Sequence, residues 1–208
     1  MDIDQLPLRE RKKLRTRQAL VDTALDLFTE RGFDGVTLDA LCDAVDVSKR
    51  TFFRTFSSKE DVAMAPTQDL WAAFLEELEE AEPAAGQPLF EVLRDVLLTA
   101  LDRMPAAGWT DRVLLSRRLA AQTPSMDAHG LAFCERTSRA ALTTARHRFA
   151  LPGAEDLRPR LAIDLLVAAF HRALENWADA PKPTRENLAS GLRSACAAVP
   201  GSLTLPAR

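Results

Sequence analysis

Residues 33–59 read FDGVTLDALCDAVDVSKRTFFRTFSSK, and this stretch predicts two short helices joined by a tight turn. Thr37 is a good N-cap for the first helix because its hydroxyl can accept a hydrogen bond from a backbone amide. Apolar residues recur at helical spacing within Leu38–Val45, and Asp46–Val47 supplies the turn. Ser48 then caps a second helix of about two turns.

The second helix has two chemically different faces. Phe52 and Phe56 are four residues apart and share an inner face. The outward positions carry Lys49, Arg50, Thr51 and Arg54, with no acidic residue among them. A basic helix that is presented by a preceding short helix fits the major groove of DNA. The stretch is therefore interpreted as a helix-turn-helix.

The composition around this stretch favours an all-α protein. The chain has 208 residues, 47% of them hydrophobic and 27% charged, as in an ordinary globular protein. Its apolar residues recur at helical rather than alternating spacing throughout. About nine helices are predicted, with a helix-turn-helix domain at residues 1–57 and a larger helical domain at residues 58–208.

Charge is distributed unevenly, although the formal net charge is only −3. Residues 9–17 contain six basic residues against Glu10 alone, and residues 48–59 contain four basic residues and no acid. Residues 69–82 are instead strongly acidic. This asymmetry indicates one basic surface that binds nucleic acid; two solvated charge runs are the alternative.

Helical signals continue on both sides of the helix-turn-helix. A first helix over residues 9–31 ends at Gly32, and Ser57-x-x-Glu60 is a capping box that opens a fourth helix. Pro66 predicts a kink or break in that fourth helix, because proline removes one backbone hydrogen bond. Further helices are expected at residues 88–104, 110–121, 125–149, 159–178 and 184–199.

Residues 10–62 resemble the DNA-binding domain of TetR-type repressors. The resemblance rests on Gly32–Thr37, the helix at 38–45, Val47–Phe56 and Ser58–Asp61, and members with Arg-Thr-Phe-Phe in the recognition helix are the most similar. Some of those members bind acyl-CoA-like effectors. It implies DNA contacts by the following residues: Arg15, Arg17, Thr37, Ser48, Lys49, Arg50, Thr51, Phe53, Arg54 and Lys59. Phe53 stands where the family usually has Tyr, and Thr55 where it often has His.

A regulator of this kind reads a palindromic operator as a homodimer. The helix at 159–178 is apolar on nearly all sides, so it is predicted to form a four-helix bundle with the last helix across the two-fold axis. The predicted interface residues are Ile163, Leu166, Val167, Phe170, Leu174, Trp177, Leu188 and Leu192. An ordinary core helix is the alternative.

A cavity for a small effector is expected in the larger domain. The bulky apolar residues on its helices suggest an apolar or acyl-type effector, and an arginine is a candidate partner for an anionic head group. The candidate ligand-binding residues are Trp71, Phe74, Phe90, Leu93, Leu97, Trp109, Phe133 and Arg136.

Other classes of function find little support in the sequence. Its three cysteines are scattered and form no metal-binding cluster, so no disulfide framework, metal or cofactor is predicted. No catalytic motif is present, and neither a signal peptide nor an apolar run of membrane-spanning length is found. We expect a cytoplasmic regulator that is not an enzyme. A helical enzyme, or an interaction module that does not read DNA, is the alternative.

Overall fold

The structure, a computed structural model, describes residues 7–105 and 107–207, and its regular elements in these ranges are all helical. The prediction of an all-α chain of about nine helices is confirmed there. No helix of the described ranges has the length and apolar character needed to cross a membrane. The helices are α1 (Leu8–Arg31), α2 (Leu38–Ala44), α3 (Lys49–Phe53), α4 (Lys59–Glu80), α5 (Leu89–Arg103), α6 (Trp109–Ala120), α7 (Pro124–Arg148), α8 (Arg158–Ala178) and α9 (Arg185–Ser202).

The chain divides into two compact units. The first unit contains the chain up to Thr67 together with Asp111–Gly130, and the second contains Gln68–Thr110 together with the chain from Leu131 onward. The first unit is thus larger than a three-helix domain, because part of α6 and the start of α7 belong to it. The functional boundary after residue 57 stays a prediction, since a compact unit need not coincide with a DNA-binding domain.

The core of the first unit is built around α1. Leu20, Ala24 and Phe28 of this helix are at most 1% exposed, and they pack with Phe52 and Phe56. Leu119 of α6 and Met126 of α7 complete the same cluster. A domain of about 50 residues is only marginally stable by itself, and these later segments enlarge its core.

Two glycines shape the connection between α1 and α2. Gly32 ends α1 with φ +75°, a backbone angle that side chains disfavour. At Gly35 a Cβ atom would lie 2.3 Å from the carbonyl oxygen of Arg31. Only glycine therefore allows the chain to pass this close to the end of α1.

The start of α4 differs from the predicted capping box by one residue. Ser58 is the cap, since its Oγ accepts from the Asp61 amide at 3.2 Å. The Asp61 carboxylate in turn accepts from the amide and hydroxyl of Ser57 at 2.8 and 2.9 Å. Ser58 is thus the cap of α4, Asp61 bonds back to Ser57, and the prediction of a capping box between Ser57 and Glu60 was wrong.

The predicted break at Pro66 is absent, whereas a kink there stays a prediction. Helix α4 runs without interruption from Lys59 to Glu80 with Pro66 inside it. Proline removes a single helical hydrogen bond, whereas Val62, Ala63, Ala65 and Leu70 around it are all fully buried. Burial of this face stabilises the helix through the position that proline weakens.

The second unit is built on α5, α8 and α9, which pack against one another. Leu93 and Leu97 of α5 are fully buried, as are Leu166 of α8 and Leu188 of α9. Trp177 closes the α8–α9 connection by donating its indole N–H to the Thr184 carbonyl at 2.7 Å. The unit thus has a dense core of its own.

Replacement of Ser58 by alanine tests the revised cap. We expect Ser58→Ala to lower the free energy of unfolding by about 1 kcal/mol, because a side-chain cap of the first turn is lost. Urea denaturation followed by circular dichroism measures this change. Ser190→Ala, at an exposed serine of α9, is the matched control and should have little effect. Equal stability of the two variants would contradict the assignment of Ser58 as the cap.

Candidate nucleic-acid interface

A tight turn fixes α2 against α3. Asp46 adopts φ 54°, the left-handed conformation that ends many helices. The Val47 amide donates to the Cys42 carbonyl at 3.0 Å and the Asp46 amide to the Asp43 carbonyl at 3.2 Å. These two bonds form a Schellman motif and satisfy carbonyl groups at the end of α2. The predicted turn at Asp46–Val47 therefore has a defined backbone geometry.

Both predicted caps are present on the two short helices. The Thr37 hydroxyl accepts from the Ala40 amide at 3.1 Å. The Ser48 hydroxyl accepts from the Thr51 amide at 3.2 Å and lies 3.1 Å from the Thr51 hydroxyl. Thr37 and Ser48 are exposed, so each side chain fixes its helix and still faces solvent.

Helix α3 has only five residues and presents a mixed outer face. Phe52 is fully buried, whereas Arg50, Phe53 and Arg54 are exposed. The Phe53 ring is 56% exposed and packs edge-on against Phe52, with ring centroids 5.5 Å apart. The division into an inner aromatic face and an outer basic face matches the sequence pattern.

Two threonines beside this outer face are partly buried. Thr51 participates in the Ser48 cap, and the Thr55 hydroxyl donates to the Thr51 carbonyl at 3.2 Å. A hydroxyl that bonds within its own helix is less available to a ligand. The exposed chemistry of α3 is therefore concentrated in two guanidinium groups and one aromatic ring.

Lys49, the first residue of α3, is engaged by an acid. Its ammonium lies 2.7 Å from the Asp39 carboxylate in the first turn of α2. The hydrogen bond to Asp39 and the charge of that carboxylate raise the pKa of Lys49. The ion pair of Asp39 with Lys49 was not predicted from the sequence, because no helical spacing links residues on two helices. The pair reduces the net positive charge of this surface.

The family resemblance implies that Lys59 binds a DNA phosphate, whereas in the structure its ammonium group is hydrogen-bonded within the protein. Its ammonium donates to the carbonyls of Phe33 and Val36 at 2.8 and 2.7 Å. It also lies 4.5 Å from the ring centroid of Phe33 and 5.6 Å from that of Phe28. Two of its three N–H donors are thus used to hold the connection before α2, so the residue acts first as a positioning group.

The N-terminal turns of α1 and the end of α3 border one groove. Its lining includes Arg9, Lys12 and Lys13 from α1 and Arg54 directly after α3, with Glu10 as the acidic member. Basic segments some forty residues apart in sequence thus meet at the same surface of the first unit. The predicted single basic surface is present in the fold.

The two arginines of α1 that the family resemblance implies as DNA contacts have different surroundings. Arg15 is exposed, whereas Arg17 is partly buried. The Arg17 guanidinium carbon lies 5.1 Å from the ring centroid of Phe56, in a cation–π contact. Arg17 is therefore held against the core, and Arg15 remains open to solvent.

The residues predicted for the ligand site separate into three groups in the second unit. Trp71, Phe74 and Phe133 line one cavity. Phe90, Leu93, Leu97 and Trp109 lie outside the lining of that cavity, and the last three are buried in the core. Arg136 is exposed and also lies outside the lining.

Burial also changes the interpretation of the predicted dimer surface. Ile163, Leu166, Phe170, Leu174, Trp177, Leu188 and Leu192 are all at most 3% exposed within a single chain. These side chains belong to the core of the second unit and cannot at the same time meet a partner. Of the eight predicted residues, Val167 alone is partly exposed. Apolar composition identified α8 correctly as a central helix but did not distinguish its inner face from its outer face.

Metal chemistry has no candidate centre in the ranges 7–105 and 107–207. These ranges contain no group of three or more His, Cys, Asp or Glu side chains that could hold a metal ion. Cys42, Cys134 and Cys196 are free thiols.

Comparison with known proteins shows that this chain is similar to bacterial transcriptional regulators over most of its length. The family model for bacterial regulatory proteins of the tetR family matches residues 20–65. The HTH-type transcriptional regulator TcmR of Streptomyces glaucescens is 32% identical over 175 residues, which cover 82% of this chain and 76% of TcmR. The likeness to TcmR therefore extends well beyond the helix-turn-helix.

Two further proteins are similar to this chain, one over a short stretch of sequence and the other in its fold. IcaR of Staphylococcus epidermidis, a negative transcriptional regulator of the biofilm operon icaADBC, is 27% identical over 60 residues, or 29% of this chain and 32% of IcaR. The structure of SmeT, a repressor from Stenotrophomonas maltophilia, aligns with a TM-score of 0.50 at 19% identity, covering 95% of this chain and 92% of SmeT. The match to IcaR covers less than a third of either protein, and that to SmeT concerns the fold.

Replacement of Lys59 by methionine tests its positioning role. We expect Lys59→Met to lower the free energy of unfolding by about 1–3 kcal/mol, because two carbonyl groups lose a charged hydrogen-bond donor. Thermal and urea denaturation measure the change, and Lys182→Met, at an exposed lysine, is the control. Unchanged stability of Lys59→Met would mean that these hydrogen bonds do not stabilise the fold and that the ammonium group is available to bind DNA phosphates.

Proposed function

Because the chain belongs to the TetR family of bacterial regulatory proteins, we propose that it is a dimeric repressor of palindromic operators, released by a small effector. It is a DNA-binding transcriptional regulator, and regulators of this family typically act as dimers that respond to small molecules. The relatives it matches are named as regulators rather than enzymes. The observation that carries the proposal is the basic groove between α1 and α3.

Base reading is assigned to the exposed residues of α3. A guanidinium group can donate two hydrogen bonds to guanine in the major groove, which makes Arg50 and Arg54 the principal readers. Phe53 lacks the hydroxyl of tyrosine, so we assign it an apolar contact with a thymine methyl or a sugar. Thr51 has a lesser role because its hydroxyl is occupied in the Ser48 cap.

Phosphate contacts position this reading surface on the duplex. We assign them to Thr37, Ser48, Arg15 and Arg17, together with the basic residues of the groove. Lys49 joins them when the incoming phosphate replaces Asp39 as its partner. Lys59 contributes indirectly, by holding the connection from which α2 starts.

The dimer is proposed to form through the outer face of α8. Leu157 and Leu161 are 69% and 53% exposed and lie four residues apart, on the side opposite to the buried residues of this helix. Leu165 continues this face and is partly exposed. An isologous contact places the same apolar surface of two chains together. This proposal replaces the interface residues inferred from composition.

The effector is proposed to be apolar and small rather than an acyl-CoA. Trp71, Phe74 and Phe133 supply an aromatic wall, and the cavity lining includes no arginine for an anionic head group. A phosphate group would therefore lose its hydration without gaining a partner.

Replacement of Arg50 tests the assignment to DNA. We expect Arg50→Ala to weaken binding to the preferred duplex by about 1–3 kcal/mol and to relax sequence preference, because a base contact is lost. Fluorescence anisotropy should use a duplex that the wild-type protein selects from a randomised library and a scrambled duplex of equal length. Arg136→Ala, at an exposed arginine of the second unit, is the control. An equal loss on both duplexes would make Arg50 a phosphate contact, and no loss would remove it from the interface.

Replacement of Leu161 tests the dimer surface. We expect Leu161→Glu to raise the dimer dissociation constant at least about tenfold, since burial of a leucine is worth about 1.5–3 kcal/mol and the contact occurs twice. Sedimentation velocity over a concentration series measures this constant, and circular dichroism verifies the fold. Leu203→Glu, at a leucine that is 72% exposed, is the control. A dimer that tolerates glutamate at position 161 would exclude this face.

A further inference from the structure

An exposed ion pair joins the first turns of α2 and α3. The Lys49 ammonium lies 2.7 Å from the Asp39 carboxylate, and the two side chains are 53% and 67% exposed. Lys49 is the first residue of α3 and directly precedes Arg50, so the pair lies on the surface that is proposed to meet DNA. Asp39 thus places a negative charge where a duplex brings further negative charges.

Helix α3 is held in place by contacts other than this ion pair. Phe52 is fully buried, and the Ser48 hydroxyl caps the first turn by accepting from the Thr51 amide at 3.2 Å. An ion pair between exposed side chains contributes little to stability, because water and salt screen it. An acid at position 39 therefore has its main consequence in binding rather than in folding.

Asp39 competes with DNA for the Lys49 ammonium. A paired lysine has no net charge with which to attract a phosphate, and an intramolecular partner acts at a high effective concentration. A phosphate replaces Asp39 only when it is held equally close to the ammonium. Base contacts by Arg50 and Arg54 hold a preferred duplex in one register and so keep a phosphate beside Lys49. A duplex of another sequence is bound in no fixed register.

We propose that Asp39 is a specificity-determining residue, which withholds Lys49 from non-specific duplexes and releases it to a phosphate of the preferred duplex. On a non-specific duplex the ion pair stays closed, and Lys49 adds neither affinity nor salt dependence. On the preferred duplex the ammonium exchanges Asp39 for a phosphate. Asp39 acts through Lys49 and is therefore a positioning residue. Its role rests on the proposed function, because it requires that the surface of α1 and α3 binds DNA.

Asparagine at position 39 removes the charge and keeps the shape of the side chain. We expect Asp39→Asn to strengthen binding to a scrambled duplex roughly two- to fivefold per protomer, the effect of one exposed charge pair. The slope of the logarithm of the binding constant against that of the salt concentration should steepen by about 0.9 per protomer on this duplex. Binding to the preferred duplex should change less, so the ratio of the two affinities falls. Fluorescence anisotropy of the full chain measures both affinities, and circular dichroism verifies the fold.

Two controls separate the ion pair from the charge of Asp39. Asp43 lies on the same helix and also raises the pKa of Lys49, but through its charge alone. Asp43→Asn therefore changes the net charge equally and should leave the ratio of affinities unchanged. Asp39→Glu keeps a carboxylate that can pair with Lys49, so it should retain the selectivity of the wild-type protein.

A double variant of unchanged net charge tests the exchange of partners directly. Asp39→Asn combined with Lys49→Met removes both members of the pair. We expect unchanged binding of the scrambled duplex, because the closed pair contributes nothing there. The preferred duplex should be bound more weakly, with a salt slope that is shallower by about 0.9 per protomer, because one phosphate contact is lost.

The results that overturn this role differ from those that overturn DNA binding. Equal effects of Asp39→Asn and Asp43→Asn on the two duplexes would contradict the role of Asp39 and leave the proposed function intact. Equal losses of affinity for both duplexes in the double variant would mean that Lys49 contacts phosphate in either complex, which also contradicts it. Absence of wild-type binding to every duplex would overturn the proposed function and this role together.

Discussion

A helix of five residues cannot hold its own shape in water, because helix formation needs several turns before it becomes favourable. Helix α3 is such a helix, and its stability depends on the burial of Phe52 in the core of the first unit. Three local features help to hold α3 in this position: the Schellman turn after α2, the Ser48 cap and the neighbouring Phe56 ring. Recognition chemistry can therefore be carried by a very short segment, because its orientation is set by tertiary packing.

The charges around α3 favour sequence-specific binding of DNA over the strongest possible electrostatic attraction to every duplex. Asp39 holds Lys49, and backbone carbonyls hold Lys59, so half of the four basic residues in this stretch are engaged within the protein. Arg50 and Arg54 stay exposed beside the basic turns of α1. Free cations strengthen binding to every duplex alike, whereas positioned guanidinium groups discriminate between bases. Internal pairing thus favours specificity over general affinity for DNA.

The sequence predicted those features that depend on residues close together in the chain. The caps at Thr37 and Ser48, the inner phenylalanines and most helix limits follow from local spacing, and the family resemblance specified the fold. The role of Lys59 and the ion pair of Asp39 with Lys49 depend on contacts between separate segments, which spacing does not encode. For the same reason, the apolar residues of α8 predicted a central helix but did not show which of its faces is exposed.

The surface formed by α1 and α3 is proposed to bind duplex DNA through its basic groups. The most direct measurement is the affinity of the wild-type protein for a palindromic duplex from its own upstream region, determined over a range of salt concentrations. We expect the logarithm of the binding constant to fall with the logarithm of the salt concentration with a slope steeper than about −3, since each phosphate that is neutralised contributes about −0.9. Affinity that does not depend on salt, or no binding to any duplex, would contradict it.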